Sequence, residues 1–355
     1  MLKAKRFTVG GLVLTVGAVA VLSASSTAAT PAASQVTSSP AASTAKQSAA
    51  VQYWTPERMR AAAPYPMPTA HITGPAAKKQ AVGVPGRVSG LTPAGAVSGA
   101  AATQPAVTGG FTYPYPYTRF AVYPATLRTS FPLSVNGKLF FTQNGGGYVC
   151  SATSVIAPSR TRVWTAGHCV ADGAGHFDTA AVFVPAYNNG TAPFGSFAAT
   201  GFTTSTAWLN TYDLSVDFGA FRTGRNAAGK TLAAAVGAAG FAWNQPDGQE
   251  WLADAYPAAA PFTGLTEQEV HAPTAARVSV GGIGQAAVGI GSDFTGGSSG
   301  GSWRFGAGGA HVGWISGHND FKFLSPAQPL AMYSPYFTDL ANAVRCAGEA
   351  HTYGC

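Results

Sequence analysis

The sequence predicts an all-β fold from about Thr129 to the C-terminus, and three observations lead to this prediction. Short runs rich in β-branched and aromatic residues recur there, for example at residues 138–142, 148–156 and 181–184. Gly, Asn, Asp and Pro separate these runs, as is typical of strands joined by turns. One stretch, residues 336–345, has apolar positions at helical spacing. We therefore expect a strand-rich domain that ends in a helix.

The beginning of the chain has the composition of a secretory signal peptide. Lys3, Lys5 and Arg6 precede an uncharged, largely apolar run from Phe7 to Leu22, and small residues follow. Sixteen residues are fewer than the ~20 that a membrane-spanning helix requires. Residues 1–29 are thus predicted to be a cleaved signal, and the mature protein to be extracellular and free of the membrane.

Residues 30–128 are rich in Ala, Pro, Ser, Thr and Gly and are predicted to be a low-complexity pro-segment or linker. A short helix is expected after Thr55, a plausible N-cap followed by Pro56. Trp54 and Met59 could dock this helix on the domain, although a transient helix in a disordered linker is the alternative. The domain proper is predicted to span residues 129–355.

The positive charge of the chain lies in its front part. Residues 1–128 carry eleven Lys and Arg and one acidic residue, a net charge of +10, whereas residues 129–355 carry ten and thirteen, a net charge of −3. The domain therefore gives no reason to expect nucleic-acid binding. The opposite charges predict that the front segment docks on the domain, as an intramolecular inhibitor or chaperone, and that salt weakens this docking.

Three segments carry residue types suited to acyl transfer. Residues 296–303 read Gly-Gly-Ser-Ser-Gly-Gly-Ser-Trp, in which glycines permit the tight backbone that an oxyanion hole needs. Such runs are also common in flexible linkers, so this motif alone is weak. Residues 163–170 read Val-Trp-Thr-Ala-Gly-His-Cys-Val, and residues 215–221 supply a carboxylate in an apolar setting. The resulting order is histidine, aspartate, serine.

Together these segments resemble the trypsin/chymotrypsin-like serine peptidases, most closely the secreted bacterial enzymes of the group that includes the glutamyl endopeptidases. The resemblance covers most of residues 129–355. It implies two six-stranded antiparallel β-barrels with a C-terminal helix. It also implies a secreted endopeptidase, expected to be a monomer without cofactor, that hydrolyses polypeptide substrates through an acyl-enzyme intermediate.

The resemblance assigns a role to each residue of the site. Ser299 attacks the scissile carbonyl, His168 takes its proton and later protonates the leaving amine, and the N–H groups of Gly297 and Ser299 hold the oxyanion. Asp217 and Asp213 are both candidates for the carboxylate that orients the imidazole. We prefer Asp217, because an aromatic residue, a small residue and a strand follow it, as in peptidases of this type.

Four cysteines in an exported chain indicate two disulfides, for which three connectivities exist. The resemblance implies a bridge between Cys150 and Cys169, which leaves Cys346 to pair with Cys355. Zinc is the alternative use of cysteine. The spacings of the cysteines in the sequence do not suit a four-ligand zinc site, and the chain has no His-Glu-x-x-His motif. No metal is therefore expected.

The specificity signals conflict with one another. Asp293 lies six residues before Ser299, the spacing at which trypsin-like enzymes place the carboxylate of a pocket for Lys or Arg. Ser316, Gly317 and His318 resemble the wall of that pocket, where a bulky histidine would narrow it and could instead bind an acidic side chain. Asp293 could also be a structural residue that bonds loop amides. We favour cleavage after basic residues.

Ser298 occupies the position at which many relatives have an aspartate that pairs with a newly formed N-terminus. Activation by that salt bridge is therefore not expected. Two other classes of function stay open: a catalytically inactive relative that acts as a binding protein, and an esterase that uses the same triad. Labelling by a fluorophosphonate would argue against the first class, and comparing peptide with ester turnover would test the second.

Overall fold

The computed structural model describes Met1 and residues 32–71, 83–96, 113–307, 312–325 and 327–355. Residues 31–355 form one compact unit. The predicted signal peptide lies outside the described residues, apart from Met1. Within the described ranges, no helix is both long enough and apolar enough to cross a bilayer.

Strands dominate the described ranges. In chain order they are β1 (Val36–Ser38), β2 (Ala63–Pro64), β3 (Thr69–His71), β4 (Gly86–Val88), β5 (Thr118–Ala121), β6 (Asn136–Gln143), β7 (Gly146–Ser154), β8 (Arg162–Ala166), β9 (Thr179–Pro185), β10 (Phe197–Ser205), β11 (Phe218–Thr223), β12 (Gly240–Trp243), β13 (Glu250–Ala255), β14 (Gln268–Pro273), β15 (Ala276–Val278), β16 (Ala287–Gly291), β17 (Ser302–Phe305), β18 (Trp314–His318), β19 (Lys322–Ser325) and β20 (Ala331–Ser334). The α-helices are α1 (Thr44–Tyr53), α2 (Pro56–Ala61), α3 (Thr206–Thr211), α4 (Leu232–Val236) and α5 (Asp339–Cys346). Short 3₁₀ turns cover Ala32–Gln35, Ala125–Thr129, Leu133–Val135, Gly167–Cys169 and Leu214–Val216.

Strands β6 to β11 form a closed six-stranded barrel. Their order is β10-β11-β8-β7-β6-β9, and β9 pairs back to β10 through Phe183 and Phe197. Side chains fill the interior, among them the fully buried Leu139, Phe183 and Phe221. Closure removes sheet edges, so the barrel presents its residues on a stable frame.

The second half of the domain contains two further sheets. Strands β12, β18, β17, β13 and β14 are neighbours in one, and β15, β16 and β20 form the other. The two sheets pack face to face around Trp251, Ile290 and Trp303. The all-β class and the first six-stranded barrel are thus confirmed, whereas the second half has two separate sheets in place of the second six-stranded antiparallel barrel, and its β12 pairs with β18 in parallel.

The predicted C-terminal helix is present as α5. It begins at Asp339, inside the predicted stretch, because the Thr338 side chain caps it by accepting from the N–H of Leu340. Leu340 and Val344 face a cluster that also contains Trp164 of the first half and residues of the second. The helix therefore packs where the two halves of the domain meet.

Both disulfides have the pairing that the resemblance implied. Cys150 in β7 bonds to Cys169 in the turn after β8, with 6.2 Å between their Cα atoms. Cys346 at the end of α5 bonds to Cys355, at 5.2 Å. The first bridge fixes the turn that carries His168 to the neighbouring strand.

The described residues of the front segment contain more secondary structure than its composition predicted. The helix expected after Thr55 is present as α2, and Thr55 accepts from the N–H of Arg58. Trp54 and Met59 are buried in a cluster with Phe140 of β6. The Trp54 indole also donates to the carbonyl of Ala180 at 2.7 Å. The predicted docking residues therefore contact the domain.

Five short strands of the front segment add to sheets of the domain. β1 pairs with β10, β2 with β7, β3 with β19, β4 with β12 and β5 with β14. These pairings were not predictable, because they depend on backbone groups of distant strands and not on local side-chain periodicity. An exposed strand edge offers unpaired N–H and C=O groups to any extended segment.

Candidate active site

Ser299 lies in the loop between β16 and β17, which we call the nucleophile loop. This loop packs against the first barrel. A Cβ at Gly300 would lie 1.9 Å from Oγ1 of Thr165, and the residue has a φ of +78°, so only glycine fits. The N–H of Ser151 donates to the Ser299 carbonyl at 2.8 Å. The Ser151 hydroxyl donates to the carbonyl of Gly297 at 2.9 Å. These bonds position the serine from the other half of the domain.

His168 and Asp217 come from the ends of two paired strands. His168 follows β8 directly, Asp217 precedes β11, and the pair Phe218–Ala166 brings the two ends together. Nδ1 of His168 lies 2.7 Å from Oδ2 of Asp217, and the His168 N–H donates to Oδ1 at 2.8 Å. Two bonds to one carboxylate fix both the ring and its backbone.

The electrostatics of this pair favour a protonated Nδ1. Burial alone would lower the pKa of His168, but Asp217 and Asp320 outweigh it and raise that pKa to about 10. Burial and the charge of Asp320 raise the pKa of Asp217, and His168 opposes them. When the ring is neutral and its one proton is on Nδ1 facing Asp217, Nε2 is free to accept a proton.

The atoms predicted to react are buried and unpaired. Neither the Ser299 hydroxyl nor Nε2 of His168 has a hydrogen-bond partner among the described residues. In the same part of the chain, the N–H groups of Gly297 and Ser299 donate to no backbone carbonyl. The segments that carry Ser299 and His168 thus lie side by side, and no hydrogen bond joins the two side chains among the described residues.

Asp213, the alternative carboxylate, points elsewhere. Its side chain accepts from the N–H of Ser215 at 2.9 Å and from the N–H of Ile283 at 2.8 Å. It therefore caps the turn before Asp217 and ties it to the loop after β15. Among the described residues, no hydrogen bond or ion pair joins Asp213 to His168.

Sequence reasoning missed Asp320, which lies two residues after β18. Its Oδ1 is 3.2 Å from Nδ1 of His168, and its side chain is fully buried. His168, Asp217 and Asp320 thus form one buried cluster, with one polar atom of each within 4.8 Å of the others. The available signal was an acidic residue inside the strand-like run 319–323.

Asp293 lies at a charged site of the second half. Its Oδ2 accepts from Nε of Arg119, a residue of the front segment, at 3.0 Å. The Lys322 amine donates to the carbonyls of Ser292 and Pro329. Burial lowers the pKa of Lys322 to about 8, and the nearby charge of Asp293 opposes this shift. Asp293 is thus flanked by two cations.

Ser316, Gly317 and His318 belong to β18. Among the described residues, no hydrogen bond or ion pair joins them to Asp293. His318 accepts a hydrogen bond at Nδ1 from the indole of Trp164, at 3.1 Å. Gly317 pairs with Trp303 of β17. His318 also faces Asp320, with 3.8 Å between Nε2 and Oδ2.

Residues 63–71 of the front segment cross the site, and we call them the strap. The ring of Tyr65 stacks on that of His168, with centroids 5.6 Å apart and planes 23° apart. The Tyr65 hydroxyl donates to Gln143 at 2.7 Å, and its N–H to the carbonyl of Val149 at 3.0 Å. The Tyr65 carbonyl lies against Gly296 of the nucleophile loop. The strap thus contacts both His168 and the loop that carries Ser299.

Comparison with known proteins places the chain in a family. No protein-family model and no curated protein sequence matches it. The solved structure of the thermostable serine protease AL20, from an extremophilic microorganism, is 34% identical to it, covering 64% of this chain and 100% of that one, with a TM-score of 0.55. The chain belongs to the bacterial trypsin-like serine peptidases. A second serine-peptidase relative, the protease Anisep from Arthrobacter nicotinovorans, is 31% identical, covering 61% of this chain and 95% of that one, with a TM-score of 0.54.

The family that the sequence motifs predicted is therefore confirmed. As a trypsin-like serine peptidase the protein is a hydrolase, and the closed barrel, the second set of sheets and the C-terminal helix fit that fold.

We expect Asp217→Asn to lower kcat/KM of the activated peptidase by about 10⁴, because an amide would hold the imidazole in the wrong tautomer. Asp213→Asn is the matched control, since its carboxylate bonds loop amides and not His168. Peptide hydrolysis by both variants decides between them. The assignment is wrong if Asp213→Asn shows the large loss and Asp217→Asn does not.

Proposed function

We propose that this peptidase is a secreted endopeptidase that uses Ser299, His168 and Asp217 as a catalytic triad. The observation that carries the proposal is the buried bond of 2.7 Å between His168 and Asp217, beside a glycine-rich serine loop. The ring is held so that Nε2 faces away from the carboxylate. Such an arrangement suits a base that removes a serine proton.

In this mechanism Ser299 attacks the carbonyl of the scissile bond while Nε2 of His168 takes the hydroxyl proton. The tetrahedral oxyanion accepts from the N–H groups of Gly297 and Ser299, which are free of backbone acceptors among the described residues. His168 then protonates the leaving amine. Water hydrolyses the resulting acyl-enzyme by the same steps in reverse order.

We expect Ser299→Ala to lower peptide turnover of the activated peptidase by at least about 10⁴, because the nucleophile is lost. The wild type should be labelled by a fluorophosphonate, and Ser299→Ala should not. Ser130→Ala changes an exposed serine and serves as the control. Retention of more than about a hundredth of the wild-type rate would sink the nucleophile assignment. Failure of the wild type to react would favour an inactive binding protein, and turnover of esters alone would favour an esterase.

Export and the monomeric state remain predictions. Two disulfides in the described residues support an oxidising, extracellular compartment. The predicted signal that would direct export lies in residues 1–29.

We propose that Asp293 contributes to cleavage after basic residues. Its carboxylate accepts a charge-assisted hydrogen bond from Arg119, so the site already accommodates a guanidinium. Once Arg119 leaves with the front segment, a substrate Lys or Arg could take its place. Lys322 stays nearby and opposes this preference by like-charge repulsion.

A peptide library cleaved by the activated peptidase should show a preference for Lys or Arg that falls about tenfold or more in Asp293→Asn, because an ionic bond is lost. Asp247→Asn removes a largely exposed carboxylate that pairs with Arg277, and it should not alter the preference. Dominant cleavage after Glu or small apolar residues, unchanged in Asp293→Asn, contradicts a specificity role.

We also propose that the strap keeps the full chain latent. Tyr65 covers the ring of His168, and the reactive atoms of His168 and Ser299 are both buried in the full chain. A peptide substrate cannot reach a nucleophile that has no exposed surface. This gives a physical form to the inhibitor role predicted for the front segment.

The direction of the strap follows from its pairings, which are parallel at both ends. Its first two residues pair with Tyr148 and Val149 of β7, and its last three pair with β19. Between them, Met67 packs on the apolar cluster that contains Phe294, the neighbour of Asp293. The strap thus passes the histidine first and the proposed specificity site second.

A substrate would cross the same cleft in the opposite direction. Its residue before the scissile bond would enter the site near Asp293, and its leaving nitrogen, where the C-terminal part begins, must lie at His168. The substrate therefore runs from Asp293 to His168, and the strap from His168 to Asp293. Reversed polarity would let the strap fill the cleft without offering a carbonyl in a reactive orientation.

Ion pairs contribute little to this docking. Among those in the described ranges, Arg119–Asp293 is the one that joins residues 32–128 to the domain, and both side chains are partly exposed. Strand pairing and the buried Trp54 and Met59 account for most of the contact. We therefore expect salt to weaken the docking less than the charge split predicts.

A synthetic peptide of residues 61–71 should inhibit the activated peptidase and stay intact, whereas a scrambled peptide of the same composition should not inhibit. Mass spectrometry of the peptide after incubation checks this. Cleavage between residues 65 and 67 would show that the strap binds in the direction of a substrate.

The same strap should control the intact chain. Tyr65→Ala removes the ring from His168, so we expect fluorophosphonate labelling of the uncleaved full chain to be at least about tenfold faster. Tyr53→Ala is the control, because that tyrosine contacts Trp54 and Arg58 instead. Equal labelling of wild type and Tyr65→Ala would mean that the strap does not limit access.

A further inference from the structure

Asp320 is a second buried carboxylate beside the catalytic imidazole, and it has no hydrogen bond of its own. Its Oδ1 is 3.2 Å from Nδ1 of His168, but the single proton of Nδ1 points to Asp217, which is closer at 2.7 Å. Neither oxygen of Asp320 has a hydrogen-bond partner in the described part of the chain. Burial raises the pKa of Asp320, but His168 and His318 outweigh this effect and lower that pKa, so the buried carboxylate stays charged.

The backbone around Asp320 is tied to the nucleophile loop. The carbonyl of Asn319 accepts from the N–H of Gly300 at 2.7 Å, and the Asn319 N–H donates to the carbonyl of Gly301 at 2.8 Å. The N–H of Asp320 itself donates to the carbonyl of Tyr333 at 3.1 Å. Asp320 therefore cannot move away from His168 without disturbing the nucleophile loop.

His318, on the far side of Asp320, does not supply a compensating cation. The indole of Trp164 can only donate, so Nδ1 of His318 accepts and carries no proton. The ring proton of the neutral form is then on Nε2, which lies 3.8 Å from Oδ2 of Asp320. Burial lowers the pKa of His318, which keeps it neutral. The charge of Asp320 is thus directed at His168.

We propose that Asp320 is a positioning residue that acts through His168, by placing a second carboxylate where the imidazolium forms during proton transfer. The inference rests on the proposed triad. In the competent form with neutral His168 this carboxylate is unpaired, and it gains an adjacent cation when His168 takes the serine proton. An interaction that strengthens in the transition state lowers the barrier, and a preorganised charge in a dry site needs no reorganisation.

The two carboxylates have separate tasks in this proposal. Asp217 bonds both the ring and the backbone N–H of His168, so it sets the tautomer and the orientation. Asp320 makes neither bond and contributes charge alone. Loss of Asp217 should therefore disable the site, whereas loss of Asp320 should weaken the base and leave the geometry intact.

The decisive measurement is the pH profile of kcat/KM, for the activated peptidase prepared from the full chain. The competent form has neutral His168, so the acidic limb follows the pKa of His168. The titratable groups that face this histidine are Asp217, Asp320, Asp178 and, while the strap is present, Tyr65, with His318 behind Asp320. Removing a negative charge near His168 lowers the pKa of its imidazole. The acidic limb of the kcat/KM profile then moves to lower pH.

We expect Asp320→Asn to shift the acidic limb by about one pH unit or more to lower pH and to reduce the plateau about 10- to 100-fold. Asp320→Glu keeps the charge and should restore the position of the limb. Asp172→Asn, at the surface turn bonded to His176, is the control and should change neither quantity. A folded Asp320→Asn whose limb stays at the wild-type pH, or moves to higher pH, overturns the proposal.

A second measurement covers the case in which neither Asp320 variant folds. In Asp217→Asn, the carboxylate of Asp320 remains beside the ring, so the acidic limb of the residual activity should stay above the ordinary histidine value of about 6.5. A limb at or below that value overturns the role of Asp320. If Ser299→Ala retains activity, by contrast, the triad itself is wrong, which separates failure of this inference from failure of the proposed function.

Discussion

The contact between Ser151 and the nucleophile loop is the constraint on which the rest of the site depends. His168 and Asp217 belong to the closed barrel, whereas Ser299 belongs to the second half of the domain. Ser151 bonds the carbonyls of Gly297 and Ser299, and its hydroxyl also accepts from the N–H of Tyr256 at 2.8 Å. One residue of the barrel therefore fixes the position of the nucleophile loop relative to the strands that carry His168.

The glycines of the loop make this contact possible. A side chain at Gly300 would overlap Thr165, and one at Gly301 would lie 2.3 Å from the carbonyl of Asp254. Gly300 therefore lies so close to β8, and Gly301 so close to β13, that neither position has room for a side chain. This is why the glycines flanking Ser299 are informative here, whereas glycine in a linker only adds flexibility.

The sequence was sufficient where chemistry depends on residues close in the chain. The segments around His168, Asp217 and Ser299 predicted the family, and short β-rich runs predicted the fold class. Capping of α2 by Thr55 was also predictable, because an N-cap needs only the next three residues. Each of these features is local, so a single sequence can carry its signal.

Features that depend on distant pairings were not predictable in the same way. The strap is an Ala-Pro-Tyr-Pro segment without periodicity, and its place is set by the edges of β7 and β19. Asp320 follows Gly-His-Asn and matches no local motif, yet the pairing of β17 with β18 delivers it to His168. The same pairing places His318 beside Asp320 and Trp164, a position that no local motif predicts. The charge split pointed to ionic docking, whereas the contacts are mostly strand pairing and apolar burial.

The strap and Asp320 approach His168 from different sides. Tyr65 covers the face of the ring, while Asp217 and Asp320 contact the Nδ1 edge. The Asp–His bond, the serine loop and the free oxyanion donors coexist with the bound strap. Ser298 has no carboxylate with which to bind a new N-terminus, and its hydroxyl is buried without a partner among the described residues. The latency that we propose for the full chain is therefore steric, because the strap covers a histidine that is already bonded to Asp217.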